Sequence, residues 1–221
     1  MPMKRKVGNW VGGAVAFAGW LLSGAAPAVA HPHVWVVVEA TILFDKGSIS
    51  GIRHKWTFDD MYTAMAIQGL DANKDGVYDR KELDELAKVN MEGLKEFEYF
   101  TYVKLGVQRL KTKPPADYYL EHAKDGLLSL FFTVPFAQPV LADAQDFGFQ
   151  VTDPGYFIAF EFAKQEPIKL AEGAPAGCKP SLSAAEKEAA EAQKLGESFF
   201  AQMGGNFGVT VAQTASVVCK P

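Results

Sequence analysis

Asp71, Asn73, Asp75, Asp79 and Glu82 crowd five oxygen-bearing side chains into the twelve-residue stretch Asp-Ala-Asn-Lys-Asp-Gly-Val-Tyr-Asp-Arg-Lys-Glu. Calcium, a hard cation, takes about six to eight oxygens. An EF-hand loop supplies them from its first, third, fifth, seventh, ninth and twelfth positions, with glycine at the sixth. Every place is filled here. Asp71, Asn73 and Asp75 give side-chain oxygens, Val77 its carbonyl, Asp79 the position where a bridging water is usual, and Glu82 the bidentate carboxylate; Gly76 permits the turn. Lys74, Arg80 and Lys81 all fall between the donors. The competing reading is a polar helix entry that binds no metal. The sequence carries one such loop. That favours a constitutive brace of the extracellular kind, with affinity of about 10⁻⁴ to 10⁻³ M, over a sensor.

A second set of donors depends on how the chain begins. Lys4, Arg5 and Lys6 precede an apolar run from Val11 to Leu22 and a small-residue end, Ala25-Ala-Pro-Ala-Val-Ala30. This is the pattern of a secretory signal peptide over residues 1–30, cleaved after Ala30. The run is too short for a hydrocarbon core about 30 Å thick, so no membrane span is expected after cleavage. An uncleaved anchor is the alternative. Cleavage would leave 191 residues beginning His31-Pro32-His33, with net charge moved from −4 to −7. In an extended segment, residues two apart point the same way, so His31, His33 and the new α-amine could meet one ion. Imidazole and amine nitrogens suit nickel, cobalt, zinc or copper. His54 and His122, the only other histidines, fall on expected strands and could complete the set. The alternative is a frayed polar start with no metal.

The acidic balance gives no electrostatic reason to bind nucleic acid. Cys178 and Cys219 are the only cysteines, and in an exported protein they are expected to form a disulfide. Two buried thiols are the alternative. No Gly-x-Ser-x-Gly, His-Glu-x-x-His, Walker or dinucleotide motif occurs, so no enzymatic activity is expected.

The elements that must position these residues are mostly strands. Val34, Val36, Val38, Ala40, Ile42 and Phe44 alternate onto one face of a strand over 33–45. Lys46-Gly47-Ser48 turns the chain into a partner strand, 49–56. Thr57-Phe-Asp-Asp60 reads as a capping box opening a helix to about Leu70, and a second helix follows from Glu82 to about Phe97. Strands are expected over 99–105, 118–122, 127–134, 146–152 and 156–163. Residues 172–180 read as a linker, 183–203 as a helix capped by Ser183 with Glu186 three residues on, and 208–218 as a last strand.

The expected fold is mainly β with a helical insert: an antiparallel sandwich (31–56 and 99–170), an EF-hand insert (57–98), and a tail (171–221) closed by the disulfide.

His-Pro-His-Val-Trp-Val at 31–36, Trp56-Thr-Phe-Asp-Asp60, the acidic loop, Tyr99-Phe-Thr-Tyr102, Asp153-Pro-Gly-Tyr156 and Pro175-Ala-Gly-Cys178 together resemble a family of bacterial periplasmic proteins of unknown function. That family is labelled as an uncharacterised ABC-type transport system, periplasmic component, often encoded beside nickel/cobalt permeases. The resemblance implies a periplasmic accessory to divalent-metal transport working with an inner-membrane metal permease. His31 and His33 are then the residues that meet the transported ion. The second expectation is a calcium-stabilised interaction or scaffold domain with no transition-metal role.

Overall fold

A computed structural model describes residues 32–155, 157–183 and 212–219. The expected signal peptide, His31, the 183–203 helix beyond its first residue and the start of the last strand lie outside these residues.

The chain from His31 onward belongs to one unit, and its described part is mainly β, with two sheets and two α-helices. Strand β1 (Val34–Asp45) alternates as its sequence requires: Val34, Val36, Val38, Ala40 and Ile42 are buried. It turns through Lys46-Gly47, both at positive φ, into β2 (Ser48–Phe58). Helices α1 (Asp60–Ala66) and α2 (Asp84–Leu94) follow, with the acidic loop between them. The remaining strands are β3 (Thr101–Leu105), β4 (Gln108–Arg109), β5 (Ala116–His122), β6 (Leu128–Leu141), β7 (Phe147–Val151), β8 (Ile158–Phe162), β9 (Ile168–Leu170), β10 (Cys178–Leu182) and β11 (Thr214–Cys219).

The larger sheet runs β5-β6-β2-β1-β8, with β9 also paired to β1; the smaller runs β10-β11-β7-β3-β4. The antiparallel expectation fails at one place. β8 and β9 both lie parallel to β1, covering Val34–Val38 and then Ala40–Ile42 along a single edge. A hairpin cannot make a parallel pair. The long path through the second sheet supplies the crossover such a pair requires.

One apolar cluster joins the sheets. Val36, Ile52, Trp56, Leu130 and Phe132 come from the larger sheet, Val103, Phe149 and Ala215 from the smaller, and Leu83, Ala87 and Met91 from the α2 region. Fully burying a side chain of this size contributes roughly 1.5–3 kcal/mol, so this cluster holds the fold together.

Several expected boundaries moved. β2 runs on to Phe58 because the Thr57 hydroxyl is engaged with Ser129 of β6 at 2.9 Å. Asp59 therefore caps α1, accepting the Tyr62 N–H at 2.8 Å. α1 ends at Ala66, and Gly69 (φ 81) turns the chain before the acidic loop, so the approach is not one continuous helix to Leu70. Beyond α2, Glu98, Tyr99 and Phe100 take φ of 52, 55 and 46, a left-handed turn that delays β3 to Thr101. The Arg109–Glu98 ion pair (2.7 Å) and the Thr101 hydroxyl donating to Tyr99 O (2.8 Å) hold it. The expected linker also gives way to β10, which pairs with β11 and sets Cys178 opposite Cys219.

Candidate metal centre

The acidic loop is organised by its own side chains. Asp71 accepts the N–H groups of Asp75 (3.2 Å) and Gly76 (3.0 Å), Asn73 Oδ1 that of Asp75 (2.9 Å), and Asp75 Oδ1 that of Val77 (2.8 Å). Asp79 Oδ1 accepts from Lys81 and Glu82. Such Asx turns satisfy backbone donors locally and fix the tight path. Lys74 (φ 61) and Gly76 (φ 78) make the two left-handed steps, and a Cβ on Gly76 would meet nothing within 4 Å, so its role is conformational freedom.

Glu82 closes the ring. One carboxylate oxygen accepts from Ala72 N at 2.9 Å, the other from Asp79 N at 3.2 Å. The oxygens are thus spent on backbone N–H groups. Among the described residues, no group of three or more His, Cys, Asp or Glu side chains is gathered closely enough to hold a metal ion.

The loop is moored to its surroundings. The Arg80 guanidinium lies 3.7 Å over the Tyr119 ring and 2.7 Å from Glu121, and the Tyr78 ring meets His122 edge-on at 5.0 Å. Leu83, next to Glu82, is fully buried. The Thr63 hydroxyl of α1 accepts Leu128 N at 3.1 Å, and Tyr62 donates to Asn90 of α2 at 3.4 Å. Tyr78, Arg80, Tyr119 and Glu121 were not legible as site residues, although the alternation of β5 sets Tyr119 and Glu121 on one face.

Among the described residues, His33, His54 and His122 are not gathered into one site. His33 is exposed at the start of β1, its N–H donating to Phe157 O at 2.9 Å and its ring 4.9 Å from that of Phe157. His54, which stands opposite Ala40 on β1, is wholly buried between Trp56, Phe132 and Phe149. Burial pushes its pKa down to about 3, so it is neutral. His122 sits on the edge strand β5, with Nε2 3.1 Å from Gly126 O. His31 lies outside the described residues.

Cys178 and Cys219 form a disulfide, and none of the described helices is long and apolar enough to cross a membrane.

Residues 16–219 match the family described as "Protein of unknown function (DUF1007)". The chain belongs to this family. The match takes in the acidic loop, all four histidines and both cysteines. The chain is similar to an "Uncharacterized protein" of Haemophilus influenzae, 24% identical over 141 residues, 63% of this chain and 66% of that protein. It therefore spans just under two thirds of that relative's length. It is also similar to the "Uncharacterized 15.5 kDa protein in trpE 3'region" of Spirochaeta aurantia, 31% identical over 100 residues, 45% of this chain and 70% of that protein. Neither the family description nor these names specify a metal or a transport role.

Proposed function

We propose that this protein is a periplasmic calcium-binding protein, exported by a signal peptide. Its 71–82 loop holds the ion as a brace for an EF-hand insert in a β-sandwich. The closure of the loop by Glu82, one oxygen of which reaches back to Ala72 at the loop's start while the other accepts from nearby Asp79 N, is the observation that carries this reading. The donor set fits. Every donor is an oxygen, and the left-handed Lys74 and Gly76 give the path such a loop needs. Asp71, Asn73, Asp75 and Glu82 would hold the ion by side-chain oxygens, Val77 by its carbonyl and Asp79 through a water. Bound calcium supplies positive charge to four neighbouring carboxylates and cross-links both ends of the loop.

Calorimetry on protein exported from its full precursor tests this. One calcium-dependent heat is expected, absent in Glu82→Ala, with circular dichroism showing that the variant is folded. No heat in the unaltered protein would overturn the reading.

The family resemblance extends the proposal to divalent-metal transport beside an inner-membrane permease, with His31 and His33 taking nickel, cobalt, zinc or copper. Its test is the affinity for nickel, zinc and copper after both histidines are replaced by alanine. Unchanged affinity would defeat the transport role and leave the scaffold reading. The scaffold reading is favoured by Trp35, Val37 and Phe157, large apolar side chains about half exposed near one sheet end.

A further inference from the structure

EF-hand loops usually come in pairs that steady each other, whereas this sequence carries one. The question is what takes the partner's place. We propose that edge strand β5 does so, gripped from both faces by Tyr78 and Arg80, which are positioning residues for the ion; this rests on the calcium reading above.

Alternation along β5 puts Leu120 and His122 on the inward face and Tyr119 and Glu121 on the outward one, and Leu120 is indeed buried. Tyr78 packs against His122 on the inward side. Arg80 folds over Tyr119 and pairs with Glu121 on the outward side. The two residues flank Asp79 and stand just ahead of Glu82, so fixing them fixes the half of the loop that carries its last two ligands. His122 is itself anchored to the 123–127 turn through Gly126 O.

Binding energy enters through order. A loop left free must lose backbone freedom when it closes on an ion, at roughly 1–2 kcal/mol per residue fixed, whereas a moored loop has already lost it. Electrostatics adds a second effect. Arg80 is a positive charge beside a cation site, and Glu121 compensates it. Removing Glu121 both loosens the loop and leaves that charge unpaired. Removing Arg80 loosens the loop but also removes a repulsion.

The test is calcium titration of the exported protein and of Arg80→Ala, Glu121→Gln and the double variant. Arg80 and Glu121 are partly exposed, so each single change should weaken calcium binding by about three- to tenfold. Glu121→Gln should be at least as damaging as Arg80→Ala. The double variant should be no weaker than Glu121→Gln alone, because the two side chains act as one contact. A purely structural role would lower thermal stability in chelator without coupling the two residues in calcium affinity. If the unaltered protein binds calcium and the single variants bind it within twofold of that affinity, or their effects simply multiply, the brace is overturned and the calcium site stands. If the unaltered protein shows no calcium heat, both readings fall.

Discussion

His54 Nε2 lies 3.2 Å from Thr101 Oγ1, a contact between two buried side chains that ties β2 of the larger sheet to β3 of the smaller. The Thr101 hydroxyl already donates to Tyr99 O, so it accepts from His54. That assigns the ring proton to Nε2. Nδ1 is left buried with no protein partner, as is Trp56 Nε1.

This arrangement makes stability depend on pH. The unfolded chain takes up a proton on His54 near 6.5, while the folded chain resists protonation until about 3. Between those values the unfolded state binds more protons, so stability falls as pH falls. From pH 7 to pH 5 the loss from this group should be about 2 kcal/mol. Urea unfolding at the two pH values measures it, and His54→Leu should flatten the slope.

Asp59 is the cap of α1 and also accepts Trp35 N at 2.7 Å through its other oxygen. Asp59→Ala should cost about 1–2 kcal/mol, read as a lowered denaturation midpoint. Thr57→Val should leave the helix cap intact and affect only the contact with Ser129.

Two glycines should respond with opposite sign. A Cβ at Gly51 would sit 2.8 Å from Val134 O and 3.1 Å from Pro135 Cα, so backbone must move. Gly51→Ala should destabilise by about 1–3 kcal/mol. Gly93, in α2, has open space around it, and Gly93→Ala should stabilise by about 0.4–1 kcal/mol. Thermal unfolding of the pair decides both.

The disulfide joins cysteines 41 residues apart. On the chain-entropy account, replacing both by serine should cost roughly 3–4 kcal/mol. Comparing urea midpoints of that variant and of the oxidised protein checks this.

The β period was readable wherever one face is buried. The alternation of β1 and the apolar run of β6 are written in residue types, and so is the loop, whose oxygens recur at fixed places. The unread parts are tertiary. Nothing local in Ile158–Phe162 or Ile168–Leu170 says that both segments will lie parallel to β1. The left-handed turn at Glu98–Phe100 uses residues that ordinarily avoid that conformation, held by Arg109 from the next hairpin. His54 stood among the candidate ligands, because a histidine on a strand shows its burial only when the second sheet arrives. The cap fell on Asp59 rather than Thr57 because Ser129, far along the chain, claimed the threonine.

The placement of β8 and β9 also bears on how the molecule is born. The first strand to be made has one edge that closes only when residues 158–170 reach it. Pairing at that sequence distance is slow to find, and until then the edge is open to any other extended chain. The larger sheet therefore cannot be sealed until residues 158–170 are available, and the interval before that is the time of greatest exposure to aggregation.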